Sequence, residues 1–151
     1  IKGNTDSGPV PLGMMAYGEL FKDGVLTKQI LDETYGIYQK RLAYLVPKLK
    51  SIGLLPACET TSGFFTLWKT PKHAFGIDLA ARAKEKNVGL HEVFNRLVIE
   101  KCGIVGVHFQ SPSLPGIESE SFIRYAVCTD VLSKEFQSKF ESRIQTIQAR
   151  Y

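Results

Sequence analysis

A single arginine in a short apolar segment is the side chain of this sequence best suited to bind a ligand. The segment runs from Phe122 to Cys128 and has Arg124 near its middle. Its β-favouring residues and polar borders predict a buried or half-buried strand. An arginine is rarely buried without a partner, so Arg124 either pairs with an internal carboxylate, lies on an edge strand or receives an anion from elsewhere. The residues alone favour an internal ion pair or an edge strand. An external anion is also suitable, because a guanidinium holds a carboxylate by two parallel hydrogen bonds.

The composition is typical of a globular protein with one core. The 151 residues are 44% hydrophobic and 23% charged, with a net charge of +4. The basic residues are scattered among acids and do not form the stripe that is common in nucleic-acid binders. No apolar run approaches the length of a membrane span, and no signal peptide is present. We therefore predict a cytoplasmic protein without nucleic-acid or membrane partners.

The cysteines and histidines do not form a recognisable reactive pattern. The three cysteines are odd in number, widely spaced and without a C-x-x-C pair, which predicts free thiols buried in a reducing compartment. The three histidines are far apart and match no metal-ligand or catalytic-triad spacing, so no metal site is predicted. These residues are Cys58, Cys102, Cys128, His73, His91 and His108.

The first third of the chain is predicted to be helical. Asp6 or Ser7 can cap a first helix, which ends at Asp23-Gly24. A long helix follows from about Thr27 to Ile52, with an apolar seam at helical spacing, and Pro47 should kink or divide it. A long helix that bridges two domains fits this pattern better than a coiled coil, because Pro47 and a glycine interrupt the seam.

The remaining two thirds mix strands and helices. We predict a strand at 64–68, a loop at 71–76, a helix at 79–86 capped by Asp78, a helix at 90–101, a strand at 104–107, a loop at 110–121, the Arg124 strand and a helix at 133–150. This order predicts a two-layer α/β (α+β) fold with a small mixed or antiparallel sheet of three or more strands packed on helices. The predicted division is a helical arm at 1–50 and a small α/β domain at 51–151.

Four segments, in this order, resemble the C-terminal third of class I/II aminotransferases, the pyridoxal-phosphate enzymes of the aspartate aminotransferase fold type. They are Lys2–Pro9, the helix ending in Tyr38–Leu42, the strand Ser62–Trp68, and Gly103–Val105 together with the loop and Phe122–Ala126. The first is similar to the family's loop after the cofactor lysine, and the last to its closing pattern. The resemblance implies the C-terminal small domain of the fold-type I transferases.

The resemblance assigns Arg124 to the α-carboxylate of an amino acid or 2-oxo acid substrate, and so reverses the preference reached from the residues alone. It places Asn4 and Ser7 near a dimer interface and the neighbouring active site, and it implies a homodimeric parent. The lysine and other residues that bind pyridoxal 5'-phosphate would lie upstream of Ile1, so the fragment alone is expected to be inactive and to bind no cofactor. The segment Gly106–Gln110 departs from the family's Pro-Gly-aromatic pattern, so the substrate is not identified.

Two other functions fit the same order of elements. The chain could be a ligand-sensing or dimerisation module of an aminotransferase-like transcription regulator, which a DNA-binding domain upstream would indicate. It could also be a stand-alone interaction domain that uses the apolar seam from Leu31 to Ile52. Because the chain begins with Ile1 instead of Met, we expect a shortened, processed or partial form of a longer protein.

Overall fold

The computed structural model describes residues 11–113, 115 and 119–151. The chain divides into two units between Ile37 and Tyr38. The described part of the first unit contains helix α1, Pro11–Leu20, and the start of helix α2, Gly24–Ser51. Asp23 caps α2, because its Oδ1 accepts hydrogen bonds from the backbone N–H groups of Val25 and Leu26.

The second half of α2 belongs to the second unit. Leu42, Leu45 and Leu49 are buried there, whereas Leu31 and Tyr35 of the predicted seam are exposed. The helix runs through Pro47 without being divided. The predicted boundary between residues 50 and 51 therefore falls inside the structure of this unit, because the last turns of α2 supply part of its core.

A three-stranded antiparallel sheet forms the centre of the second unit. Its strands are β1 (Phe65–Lys69), β4 (Val107–Gln110) and β5 (Ser121–Ala126), in the order β1-β5-β4. Arg124 on β5 lies opposite Leu67 on one side and Val107 on the other. The prediction of a small sheet packed on helices is thus confirmed, with every pairing antiparallel. The edge-strand alternative for Arg124 is wrong, since β5 is the central strand.

The strand predicted at 104–107 lies three residues too early. Strand β4 begins only at Val107 because the side chain of Asn95 takes up both backbone groups of Gly106. Asn95 Nδ2 donates to the Gly106 carbonyl at 2.9 Å, and Asn95 Oδ1 accepts from its N–H at 3.2 Å. These groups are consequently not free to pair with a neighbouring strand.

A second sheet of two strands occupies the segment that we predicted as a loop. Strands β2 (His73–Ala74) and β3 (Ile77–Asp78) are antiparallel. The two residues between them, Phe75 and Gly76, both have positive φ, at 56° and 72°. Positive φ at both central positions is typical of the type I′ hairpin turn, whose twist matches that of the strands. The sequence did not indicate this turn, because Phe75 occupies a position where asparagine, aspartate or glycine is usual.

The two middle helices follow their sequence signals. Helix α3, Leu79–Lys86, begins where Asp78 accepts a hydrogen bond from the Ala81 N–H at 2.9 Å. It ends at Asn87, which has a left-handed conformation. Helix α4, Leu90–Cys102, ends at Gly103 in the same conformation. These predictions are confirmed because each terminus is fixed by a local side chain or glycine.

The last helix is shorter than predicted. Helix α5 spans Lys134–Ile144, and Ser133 caps it. The prediction that it extends to residue 150 is wrong, because Arg150 instead exchanges backbone hydrogen bonds with His73 at 2.9 and 3.0 Å. Ala149 also donates its N–H to the Ile52 carbonyl. Contacts with distant segments therefore replace the last helical turn.

The hydrophobic core lies between one face of the sheet and the helices of the second unit. Trp68 is only 1% exposed, and its indole N–H donates to Thr66 Oγ1 at 2.8 Å. Phe94 and Val98 of α4 are fully buried against this face. Burying a side chain of this size stabilises the fold by about 1.5–3 kcal/mol. In the described residues the fold is therefore a mixed α/β structure with five helices and small antiparallel sheets.

An ion pair and a phenol connect α2 with α5. Glu141 accepts a hydrogen bond from the Tyr44 hydroxyl at 3.0 Å and pairs with Lys48 Nζ at 2.9 Å. Burial, together with the hydrogen bond and charge of Glu141, raises the pKa of Tyr44 to about 12. None of the helices in the described ranges is long and apolar enough to cross a membrane.

Candidate functional site

Arg124 lies on the face of the three-stranded sheet that the core helices do not cover. Side chains alternate along a strand, and Ile123 and Tyr125 on either side of Arg124 are buried in the core. Arg124 therefore points to the opposite face and is half-buried. On the neighbouring strands, Phe65 and Val107 share this face and are 40% and 53% exposed.

We call this surface the open face. It comprises eight side chains at alternate positions of the three strands, of which six are apolar and two are basic. They are Phe65, Leu67, Lys69, Val107, Phe109, Phe122, Arg124 and Ala126.

The guanidinium of Arg124 stacks on an aromatic ring. Its Cζ atom lies 4.1 Å from the centroid of the Phe65 ring. This distance is well within the range of cation–π attraction, which contributes about 0.5–2 kcal/mol depending on how far the pair is desolvated. At this distance the Phe65 ring covers one side of the guanidinium, and the Nε–H group of Arg124 is buried.

Among the residues that the structure describes, no carboxylate pairs with Arg124. The ion pairs in this part of the chain all involve other side chains. The Nε–H of Arg124 is buried and has no hydrogen-bond acceptor there. Buried N–H groups without an acceptor are rare in folded proteins, so this one makes Arg124 a candidate binding group. The internal ion pair that the sequence favoured is therefore not found among these residues.

A row of aromatic side chains holds Phe65 under Arg124. The ring of Phe65 lies 4.3 Å from that of Phe64, and Phe64 lies 5.8 Å from Tyr38 on α2. On the same helix, Arg41 donates hydrogen bonds to the carbonyl groups of Val127 and Cys128 at 3.1 and 2.8 Å. Helix α2 is thus tied both to the end of β5 and to the ring beneath the guanidinium. Sequence reasoning missed both links because they depend on the packing of distant segments.

The other cation of the open face is neutralised. Lys69 Nζ lies 2.8 Å from the carboxylate of Glu120, which precedes β5. Phe122, the cross-strand neighbour of Lys69, packs against Phe109 with ring centroids 5.7 Å apart. Arg124 is therefore a cation in an apolar and aromatic surround, where the attraction for an anion is screened less than in water.

The cavity in the core of the second unit does not fit pyridoxal phosphate. A cavity of about 240 Å³ lies between α2, α4, α5 and the sheet. Its walls are apolar apart from Tyr125 and Thr129, and no lysine lines it. The cofactor needs a lysine for its aldehyde and donors for its phosphate, so this cavity does not fit it. In the described ranges no three metal-ligating side chains cluster either.

A second polar cluster joins α4 to β4 and was not predicted. Asn95 is only 5% exposed, and its Nδ2 donates to His108 Nδ1 at 2.9 Å as well as to Gly106. The ring of His91 lies 5.2 Å from that of His108. Burial and the neighbouring His108 lower the pKa of His91 below its usual value, although Glu92 opposes this. The sequence signal for this cluster was the spacing of His91 and Asn95, which places both side chains on one face of a helix, one turn apart.

Two predicted site residues lie outside the part of the chain that the structure describes, and the cysteine prediction is confirmed in part. Asn4 and Ser7 lie outside the described residues, and so does the cap predicted at Asp6 or Ser7. The thiols of Cys58, Cys102 and Cys128 are free as predicted. Only Cys102 is buried, however, because Cys58 and Cys128 lie on exposed connections beside the sheet.

Compared with protein-family models, curated proteins and solved structures, the chain matches none of them. The resemblance to aminotransferases therefore stays a prediction that depends on the four sequence segments. The geometry of Arg124 is an observation that does not depend on this resemblance.

Proposed function

We propose that this chain is the C-terminal small domain of a pyridoxal-phosphate-dependent aminotransferase of the fold-type I class. In this proposal Arg124 binds the α-carboxylate of the amino acid and of the 2-oxo acid. The observation that supports it best is the guanidinium itself, which stacks on Phe65 on an open sheet face and lacks a carboxylate partner among the described residues. The order of sequence segments supplies the family.

The chemical task of Arg124 is recognition and orientation. Two guanidinium N–H groups can donate to the two oxygens of one carboxylate, which fixes both the position and the rotation of the substrate. The Phe65 ring limits rotation of the guanidinium, so less order must be gained on binding. The apolar neighbours exclude water once a substrate is bound, and this strengthens the ion pair.

The rest of the reaction belongs to the parent protein. The resemblance assigns the cofactor lysine and the phosphate-binding groups to residues outside this chain, and it assigns a homodimer to the parent. This chain alone is then a recognition element without turnover. Helix α2 would connect it to the parent's large domain, and movement of the small domain would bring Arg124 over the substrate.

Kinetics of the full-length parent with Arg124 replaced test the proposal. Removing one partner of a buried charge pair costs about 2–4 kcal/mol, which is about 30- to 900-fold in kcat/KM. We expect Arg124→Gln to raise the KM for the amino donor in this range while the absorbance of the bound cofactor stays normal. Arg124→Lys should recover only part of the loss, since an ammonium group cannot form the two parallel bonds.

Arg96→Gln is the matched control, because Arg96 is an exposed arginine on α4 with a local partner in Glu92. Unchanged kinetics for Arg124→Gln would contradict the assignment of Arg124. A parent that binds amino acids but has no turnover and no cofactor absorbance would instead indicate the ligand-sensing module.

A further inference from the structure

The side chains around Arg124 restrict the kind of carboxylate that the open face can accept. Its direct cross-strand neighbours are Leu67 and Val107, and Phe65 lies beneath the guanidinium. The Phe109–Phe122 pair continues the apolar surface along the same strands. A substrate whose carboxylate is held by Arg124 therefore meets apolar side chains in each direction along this face.

Recognition of a second carboxylate needs a second cation. The one other basic side chain at the eight open-face positions, Lys69, already has a carboxylate partner in Glu120 at 2.8 Å. A dicarboxylate would have to displace Glu120 or leave its second charge against aromatic rings. Neither arrangement adds to its affinity, because displacing Glu120 exchanges one exposed ion pair for another, and a carboxylate gains nothing from contact with apolar rings.

We propose that this site selects monocarboxylate substrates with an aromatic or large apolar side chain over dicarboxylates. The proposal rests on the proposed carboxylate role of Arg124 and adds the substrate class. An apolar side chain gains by covering the exposed rings of Phe65 and Phe109, whereas a second carboxylate gains nothing from them. Discrimination of at least about tenfold is expected from an apolar surface of this kind.

Titration of the 151-residue chain by arginine side-chain NMR tests this directly. The Nε–H of Arg124 is buried, so its exchange with water is slowed and its resonance can be followed. We would add phenylpyruvate, 4-methyl-2-oxopentanoate and 2-oxoglutarate separately at constant ionic strength, up to about 50 mM, where even weak binding is visible. Phenylpyruvate and 4-methyl-2-oxopentanoate should each bind at least about tenfold more tightly than 2-oxoglutarate.

Two substitutions separate the apolar contribution from general effects. Phe109→Ser, at an exposed position of the edge strand, should reduce the preference for phenylpyruvate and leave the affinity for 2-oxoglutarate nearly unchanged. Val105→Ser is the control, since Val105 is exposed but precedes the strand and is not part of the open face.

The outcomes distinguish this inference from the proposed function. Equal affinities, or tighter binding of 2-oxoglutarate, would overturn the substrate class but leave Arg124 as a carboxylate site. If none of the three acids shifts the Arg124 resonance, the carboxylate role itself is contradicted. A preference for phenylpyruvate that survives in Phe109→Ser would also count against the apolar surface described here.

Discussion

Replacement of Asn95 by alanine would remove the side chain that joins α4 to the segment before β4. Asn95 is buried and uses both ends of its amide on Gly106, donating to the carbonyl at 2.9 Å and accepting from the N–H at 3.2 Å. The second hydrogen of Nδ2 goes to His108 Nδ1. Because Gly106 is also buried, its two backbone groups have no access to water in the folded state.

The expected cost follows from those two groups. Leaving a buried donor or acceptor without a partner costs about 1–3 kcal/mol, so the two together cost about 2–6 kcal/mol. Domains of this kind are stable by only about 5–15 kcal/mol in total. With a urea m-value of about 1.5 kcal/mol/M, the midpoint of unfolding should fall by about 1–4 M.

Fluorescence of the single tryptophan gives the assay, because Trp68 lies in the core between the sheet and the helices. Asn95→Leu fills the space but restores neither hydrogen bond, so it should be destabilised nearly as much as Asn95→Ala. Arg96→Ala, on the exposed side of the same helix, should change the midpoint little. A loss below about 0.5 kcal/mol for Asn95→Ala, or full recovery in Asn95→Leu, would refute the hydrogen-bond argument.

Two further predictions concern pH and backbone conformation. The pKa of His91 is lower in the folded chain than its usual value of 6.5, so the unfolded state binds a proton more readily. Protonation of His91 should therefore lower the free energy of unfolding as the pH falls below 6.5 and have no effect well above it. Urea unfolding at pH 7.5 and 5.5 should show a smaller decrease in stability for His91→Gln than for the original chain. An equal decrease in both proteins would contradict this assignment. Gly53 and Gly63 both have positive φ, at 89° and 81°, but only at Gly53 would an added Cβ collide with the Ala149 carbonyl. Gly53→Ala should therefore be destabilised by at least about 1 kcal/mol more than Gly63→Ala, in which only the backbone conformation is strained. Thermal denaturation measures the difference, and equal midpoints would show that the contact with the Ala149 carbonyl does not matter.

The features that the sequence predicted well are those with a local cause. The start of α3 depends on the carboxylate of Asp78, and the ends of α3 and α4 depend on Asn87 and Gly103. Each signal acts over three or four residues, so a single sequence contains it completely. The Arg124 strand was found for a similar reason, since its apolar run and its borders are adjacent in the chain.

The features that the sequence did not predict depend on distant partners. Strand β4 starts late because Asn95 occupies Gly106, and the last helix ends early because Arg150 pairs with His73. At the candidate site, the arginine was identifiable but its aromatic partner was not. Phe65 and Arg124 are 59 residues apart in the numbering and meet only through the register of β1 and β5. No local pattern encodes that register.

The most direct test of the central claim is a crystal structure of the full-length protein with a bound 2-oxo acid such as phenylpyruvate. We predict that both oxygens of its carboxylate lie about 2.7–2.9 Å from two nitrogens of Arg124, with the guanidinium still stacked on Phe65. A carboxylate bound elsewhere, with Arg124 paired to a carboxylate of the protein itself, would contradict it.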